Sequence, residues 1–329
     1  MQNKIAEIPV VRCLLLSNNP SIVYKTRVYL LEESPDSAHI RALAGQIKSS
    51  SNARRLLSHR LPDGTIHTNP YRKWQGPHWT LFSLAQIEYP PGDESLIPLR
   101  DQVYAWMLAP EHLEFPRSLI IPGQEQRVRR CASQEGNAIW YSLKLGLVDE
   151  RTELLVDRLV KFQWPDGGWN CDKRPEARTS SFIESLIPAR ALAIYGREYG
   201  DSAAQAVAER TAEFLLKRQL YRRLSDGCVI KPAFTRIQYP IQFYDILFAL
   251  VVMVEMGKID DPRCDSALDL LLSKHLPGGG FPLEEKNCKA TDLITTRGSF
   301  ADWGPSGKRR MNEFVSVDGL YVLKAAGRL

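Results

Sequence analysis

The stretch "LVKFQWPDGGWNC" (159–171) ends an amphipathic pattern and begins a tight turn. Leu155, Leu159 and Phe162 fall on one helical face, with charged residues opposite. Proline followed by Asp-Gly suits a turn, because proline presets φ and glycine tolerates a positive φ. The stretch therefore predicts the end of an amphipathic helix, a turn, and a second helix after the turn.

The same shape recurs along the chain, which indicates an internal repeat. In each copy an amphipathic segment runs into a turn built on glycine. The last three turns, at Asp166, Asp226 and Gly278, are 60 and 52 residues apart. The turn at Asp63 precedes them by about two periods, so a degenerate copy is expected over 103–123. The other copies are "ARRLLSHRLPDGTIH" (53–67), "AEFLLKRQLYRRLSDGC" (212–228) and "ALDLLLSKHLPGGGF" (267–281).

Each turn leads to a segment that is apolar nearly all round, as is typical of a helix buried on both sides. The segments 20–33 and 37–57 add a sixth unit. Helical hairpins repeated in this way cannot bury their faces alone, so they stack into a solenoid or close into a ring. We predict an all-α chain with one domain over 1–329, in which 1–18 form an N-terminal extension. The predicted buried helices cover 79–87, 136–146, 181–195, 241–256 and 313–324.

Composition excludes several classes of protein. The chain of 329 residues is 44% apolar, and its formal net charge of +5 is too small for a nucleic-acid-binding signature. No apolar run approaches the ~18 residues of a membrane-spanning helix. Six cysteines are scattered without CxxC pairs, which favours free thiols in a reducing cytoplasm. We expect a cytoplasmic protein without a nucleic-acid partner or an integral membrane segment.

The turn stretch also resembles the QW-type repeat of the squalene–hopene cyclase and protein prenyltransferase superfamily. Leu159, Gln163, Gly168 and Trp169 match the leucine, glutamine, glycine and tryptophan of that repeat. Over 19–325 the order of segments is similar to that of short bacterial proteins described only as prenyltransferase-like or squalene-cyclase-like, of undefined function. The resemblance implies an (α/α)6 toroid, a double ring of inner and outer helices. Segments that carry it include "RKWQGPHWTLFSL" (72–84), "YPIQFYDILFAL" (239–250) and "SVDGLYVLK" (316–324).

The chemical motifs of this superfamily are absent or incomplete. The DxDD motif with which class II terpene cyclases protonate an alkene or epoxide does not occur. The segment "DGC" (226–228) echoes half of the prenyltransferase zinc site, but the C-terminal helix 312–323 has no histidine where theirs supplies a ligand. We therefore expect no cofactor, with zinc as the alternative. The alternative zinc ligands are Asp226, Cys228 and His275, or Cys171 with Asp172.

Residues near the N-termini of the buried helices form the candidate site, since such helices begin near one rim of a toroid's cavity. Glu184 and Asp245 are the candidate catalytic acids, because a carboxyl desolvated by aromatic side chains has a raised pKa and can act as a general acid. Both can equally cap helices or pair with arginine. Candidate substrate-binding residues are Trp74, His78, Trp79, Asn137, Trp140, Ser181, Tyr239, Gln242, Asn312 and Glu313.

These residues predict a terpenoid cyclase-like or prenyltransferase-like toroid whose central pocket takes an apolar or isoprenoid-like small molecule. Aromatic walls stabilise carbocations through their π faces, but a packed helical core requires the same residues. Two alternatives stay open: a binding protein that sequesters an apolar ligand without turnover, and a non-catalytic scaffold that holds another protein. Cys171 is either a thiol activated by a helix N-terminus or a small apolar plug beneath Trp169.

Overall fold

The computed structural model describes residues 2–113 and 120–329, where helices supply most of the regular structure. A π-helical turn, Thr26–Leu30, continues the third helix. Part of the predicted degenerate copy, residues 114–119, lies outside the described residues. The α-helices are α1 (Gln2–Ala6), α2 (Pro9–Leu15), α3 (Pro20–Lys25), α4 (Ala38–Lys48), α5 (Ser51–Leu57), α6 (Pro77–Gln86), α7 (Ile97–Met107), α8 (Pro110–Leu113), α9 (Ala132–Leu145), α10 (Glu150–Lys161), α11 (Phe182–Tyr199), α12 (Ser202–Leu216), α13 (Ile246–Glu255), α14 (Asp265–Leu272) and α15 (Glu313–Ala325).

Six of the described helices form an inner ring. Helix α9 packs between α6 and α11, and α13 packs between α11 and α15. Helix α15 packs against α3 and its π-helical continuation, so the first and last inner helices meet. An outer helix precedes each inner one: α2, α4 with α5, α7, α10, α12 and α14 come before α3, α6, α9, α11, α13 and α15 in turn. This double ring of helix pairs confirms the predicted all-α toroid.

Helix α2 belongs to the ring, although the sequence placed residues 1–18 in an extension. Its Val11 and Leu14 are fully buried and join the same apolar core as the inner helices. Val10 of this helix lies so close to Gly279 that a Cβ at the glycine would come within 2.9 Å of it. Helix α2 is therefore the outer helix of the first pair, and it packs on the turn that follows the last outer helix.

Three of the four repeated turns share one backbone geometry, and the turn at 223–228 is one residue longer. In the turn at 164–168 the Trp164 N–H donates to the Gly168 carbonyl (2.7 Å), and the Gly167 N–H donates to the Trp164 carbonyl (2.9 Å). The turns at 61–65 and 276–280 repeat both bonds. A glycine with a positive φ, a region that side chains with a Cβ rarely adopt, occurs at the same place in all four turns, as the turn chemistry predicts. The φ values are 84° at Gly64, 99° at Gly167, 68° at Gly227 and 83° at Gly279.

Gln163 and Trp169 of the turn stretch hold neighbouring helices together, which explains their place in the repeat. Trp169 is fully buried, and its indole N–H donates to the Leu159 carbonyl in the last turn of α10 (3.2 Å). The Gln163 amide donates to the Val207 carbonyl (2.9 Å) and the Thr211 hydroxyl (3.0 Å) of α12. The stretch thus ties one helical pair to the outer helix of the next.

Short strands lie at the end of the ring where the inner helices begin. The loops that contain them precede α13 and α15. Among the described residues, no helix is both long enough and apolar enough to cross a membrane. The strands are β1 (Gln238–Tyr239), parallel to β2 (Glu285–Lys286), and β3 (Lys289–Ala290), parallel to β4 (Gly298–Ser299).

Helix α13 begins later than the sequence predicts. Residues 241–244 continue the apolar pattern, but α13 starts at Ile246, after Asp245. The Asp245 carboxylate accepts a hydrogen bond from the Phe248 N–H (2.8 Å). A side chain that caps the free N–H groups of the first turn fixes the helix start at that point.

Glycine at 136 lets α9 and α11 approach closely. A Cβ there would lie 2.7 Å from the backbone nitrogen and 2.8 Å from the Cα of Pro188. Because backbone atoms cannot move aside as a flexible side chain can, we expect Gly136→Ala to lower the free energy of unfolding by about 2 kcal/mol, after deducting the helix-propensity gain. Gly45 on α4 is the matched control, since nothing lies within 4 Å of its added Cβ. Gly45→Ala should raise stability by about 0.5–1 kcal/mol in the same urea titration; equal effects of the two substitutions would contradict the close approach.

Candidate functional site

Glu184 lies in a buried contact between two inner helices. Its Oε2 accepts a hydrogen bond from the Ser133 N–H at the start of α9 (2.8 Å), and its Oε1 accepts one from the Cys171 thiol (3.6 Å). The residue is 7% exposed. Burial raises the pKa of its carboxyl, although both hydrogen bonds oppose this shift. Glu184 can therefore hold a proton closer to neutral pH than a solvated glutamate does.

Two cysteines surround this acid. Cys131 lies directly before α9 and is exposed, while Cys171 is half-buried in the loop before α11. A hydrogen bond between the thiols lowers the pKa of Cys131 and raises the pKa of Cys171. The two Sγ atoms and a carboxylate oxygen of Glu184 all lie within 4.8 Å of one another. We call these three residues the thiol–carboxylate centre; its donor atoms suit proton sharing or a soft metal ion.

Lys73 lies in a cage of three aromatic rings. Its ammonium is 4.9 Å from the ring centroid of Trp74, 4.6 Å from that of Trp79 and 4.2 Å from that of Phe243. Burial lowers the pKa of Lys73 to about 8, and the charge of Glu184 opposes part of this shift. The π faces stabilise the cation, while the lowered pKa makes the neutral amine accessible near neutral pH.

His78, on the neighbouring helix α6, is a neutral imidazole. It is fully buried, and burial together with the charge of Lys73 lowers its pKa to about 3. Its Nδ1 lies 3.4 Å from the Tyr141 hydroxyl, and its Nε2 has no hydrogen-bond partner within 2–113 and 120–329. A buried ring nitrogen without a partner is uncommon in folded proteins.

Asn137 and Gln242, both predicted to bind substrate, bind each other. The Asn137 amide nitrogen donates to the Gln242 side-chain oxygen (2.9 Å), and both residues are buried. The bond links α9 to the segment before α13. Their amides are therefore already partly satisfied by the protein.

A cavity of about 770 Å³ opens beside Phe243, between the loop before α11 and the loop that joins α12 to α13. Three basic residues, Arg218, Arg223 and Lys231, line it together with aromatic side chains. We call this cavity the rim pocket. Because Phe243 also lies against the Lys73 ammonium, the pocket and the cage share a wall. The aromatic lining residues are Phe182, Phe234, Phe243 and Tyr244.

The pocket was predicted at the centre of the ring, and the structure has there a cavity of about 230 Å³ lined by residues of all six inner helices, Trp140 among them. Beside it, aromatic side chains fill the space between α6 and α9. Trp74 packs edge to face on Trp79, with 4.8 Å between the ring centroids. Phe82 packs on Trp79 (5.6 Å) and on Trp140 (5.7 Å). All four side chains are buried. Trp74 and Trp79 therefore pack as core residues, Trp140 also lines the central cavity, and the 770 Å³ cavity lies at the rim.

Asp245, the second predicted acid, has the contacts of a helix cap. Besides the Phe248 bond, it accepts a hydrogen bond from the Gln238 N–H (2.7 Å). Burial raises its pKa to about 7. Both carboxylate oxygens are thus engaged by backbone donors, and Asp245 and Glu184 have separate sets of partners.

Tyr239 and Trp140 lie against buried charges. The Tyr239 hydroxyl donates to Oδ2 of Asp318 (3.1 Å). The Arg190 guanidinium lies 4.1 Å from the ring centroid of Trp140. These predicted substrate-binding side chains are held by groups of the protein itself.

The last three predicted residues lie at two helix starts, those of α15 and α11. Asn312 caps α15 by accepting a hydrogen bond from the Val315 N–H (3.0 Å). Glu313 accepts one from the Ser17 hydroxyl (3.0 Å) and lines a separate cavity of about 430 Å³. Ser181 precedes α11 and lines the rim pocket. Of these three, Ser181 alone borders the rim pocket.

The zinc ligands suggested by the sequence do not converge. Asp226 accepts a hydrogen bond from the Cys228 N–H within its own turn (2.9 Å), and His275 packs on the Phe281 ring (5.3 Å). Within the part of the chain that the structure describes, the thiol–carboxylate centre is the one group of three His, Cys, Asp or Glu side chains whose ligand atoms come together. It contains Cys171, but not Asp172.

Sequence reasoning missed Lys73 and Cys131. Lys73 stands in "YRKWQGPHW" (71–79), where aromatic residues on both sides of a lysine were the available signal. Cys131 offered no such signal, because its partners Cys171 and Glu184 are distant in the chain. Only the packing of α9 against α11 brings them together.

No family profile matches the chain, and no curated protein matches it. Among solved structures, the chain is similar to an unsaturated glucuronyl hydrolase variant with the sugar chain dGlcA-Glc-Rha-Glc. The TM-score is 0.41 at 13% sequence identity, over 93% of this chain and 84% of that chain. A likeness at this level carries no argument about the site, and the toroid rests on the helix contacts described above.

Proposed function

We propose that the toroid binds a small amphipathic molecule, with an apolar isoprenoid-like body and an anionic end, in the rim pocket. The observation that carries this proposal is the joint lining of one cavity by four aromatic rings and three basic side chains. Its volume of about 770 Å³ suits a small organic ligand. Aromatic walls would bury the apolar body, and Arg218, Arg223 and Lys231 would bind the anion.

Groups that can transfer protons lie next to residues that line this pocket. Phe243 separates the pocket from Lys73, whose neutral amine can accept a proton near neutral pH. Glu184 lies within one helical turn of Ser181, and its raised pKa supports the proton-donor role that the sequence suggested. The backbone contacts of Asp245 support a capping role instead. The reaction class that we propose is therefore acid–base chemistry on the bound molecule.

Farnesyl diphosphate is the probe that tests the pocket. We expect isothermal titration calorimetry to show one site per chain, and Phe243→Ala to weaken binding about tenfold, because it removes one apolar wall. Farnesol, which lacks the diphosphate, should bind more weakly, and added salt should weaken binding of the diphosphate.

Tyr199→Ala is the matched control, since Tyr199 is an exposed aromatic residue at the opposite end of α11. It should bind farnesyl diphosphate as the unmodified chain does. Absence of binding, or equal loss in Phe243→Ala and Tyr199→Ala, would refute the pocket assignment. The melting temperature of each variant establishes that the comparison is made between folded proteins.

A further inference from the structure

We propose that Cys131, Cys171 and Glu184 form a binding site for one zinc ion, with a fourth coordination position open to solvent. The site lies between α9 and α11 and does not depend on the occupant of the rim pocket. Two thiolates and one carboxylate are a donor set that Zn²⁺ accepts in proteins.

The spacing of the donor atoms carries the proposal. All three lie within 4.8 Å of one another, and the Cys171 Sγ is 3.6 Å from the Glu184 Oε1. Tetrahedral zinc with the usual Zn–S and Zn–O lengths separates its ligand atoms by about 3.5–3.8 Å. The centre therefore needs side-chain shifts of less than about 1 Å, without rearrangement of the helices.

The surroundings of the centre orient one ligand and leave room for an exogenous one. The Ser133 N–H holds Oε2 of Glu184, which leaves Oε1 facing the Cys171 sulfur. A hydrogen bond of this kind to a metal-binding carboxylate fixes its orientation. Cys131 is exposed, so solvent can reach the centre from its side. Three protein ligands and an open position are the arrangement of catalytic rather than structural zinc sites.

Zinc binding also limits the role of Glu184. As a ligand it is ionised, so the proton-donor role proposed above belongs to the metal-free protein. In the zinc-bound protein, proton transfer at the pocket is left to Lys73. The rim pocket can bind farnesyl diphosphate when the thiol–carboxylate centre holds no zinc. A negative result in the zinc experiment therefore does not refute the pocket, and a negative result with farnesyl diphosphate does not refute the zinc site.

The test uses the full chain, stripped of metal by a chelator under reducing conditions. Titration with Zn²⁺ against a chromogenic competitor should give one ion per chain with Kd below about 1 μM. Co²⁺ in place of zinc should give the strong visible bands of a tetrahedral site and a thiolate-to-cobalt charge-transfer band. Cys171→Ser should weaken zinc binding more than about 100-fold, since even substitutions outside the ligand set cost 10–100-fold.

Cys228→Ser is the matched control, because Cys228 is exposed and lies in the alternative zinc motif. It should leave the affinity unchanged. Cys131→Ser provides a second ligand variant at an exposed position, where misfolding is not expected. Absence of zinc binding by the unmodified chain overturns the proposal, as does equal binding by all three variants. After the reductant is removed, oxidation by dissolved oxygen gives a further outcome: a Cys131–Cys171 disulfide that forms equally fast with and without zinc, seen as the loss of two titratable thiols per chain, also overturns the proposal.

Discussion

Trp169→Ala is expected to lower the free energy of unfolding by about 3–5 kcal/mol, the range for removing a large aromatic side chain from a packed core. Trp169 is fully buried, and its indole N–H donates to the Leu159 carbonyl (3.2 Å). Alanine would leave a cavity and a buried carbonyl without its donor. The backbone bonds of residue 169 to Ser185 and Ser181 do not involve the side chain. Urea denaturation followed by circular dichroism measures the loss.

Two further variants separate the causes of that loss. Trp169→Phe keeps most of the ring but cannot donate to Leu159, so a smaller loss of about 1–3 kcal/mol is expected. Trp106→Ala removes the same side chain from a half-buried position on α7 and should cost less than Trp169→Ala. Equal losses of stability in Trp106→Ala and Trp169→Ala would contradict the conclusion that Trp169 contributes more than a half-buried tryptophan to the packing of the helices.

The parts of the fold that depend on local chemistry could be predicted from the sequence. The turn glycines are an example, because a positive φ at Gly167 follows from the Pro-Asp-Gly residues around it. The start of α13 could not be predicted in this way. Residues 241–244 continue an apolar pattern, and the cap at Asp245 depends also on Gln238 in a neighbouring strand. Periodicity does not report such contacts.

In the candidate site, too, local features could be predicted from the sequence, but contacts between distant residues could not. Glu184 could be placed at the start of a buried helix from the pattern around it. Its partner Cys131 belongs to a different helical pair, and the pattern around Glu184 does not specify that contact. The lowered pKa of Lys73 likewise depends on a cage completed by Phe243, which is far away in the chain. Desolvation is a property of tertiary packing, so the sequence indicates candidates for perturbed acids and amines without showing which are perturbed.

Lys25→Met is expected to lower the free energy of unfolding by about 3–5 kcal/mol at pH 7, because it leaves a buried carboxylate without its counter-charge. The Lys25 ammonium lies 2.5 Å from Oδ1 of Asp318, and both side chains are 6% exposed. The pair joins α3 to α15, where the first and last inner helices meet. Methionine keeps the apolar length of the side chain, so the expected loss comes from the charge. Urea denaturation at pH 7 measures it.

The dependence of this loss on pH identifies its cause. Burial raises the pKa of Asp318 even beside Lys25, and loss of the ammonium should raise it further. A carboxyl whose pKa is higher in the folded state binds protons on folding, so the variant should regain stability as the pH falls from 7 towards 5. Glu32→Gln removes a partner of Lys324 at the same helix junction, but Glu32 is 62% exposed, and a loss of at most about 1 kcal/mol is expected. A loss in Lys25→Met that does not change with pH, or that is no larger than that of Glu32→Gln, would mean that apolar packing rather than the buried ion pair holds α3 against α15.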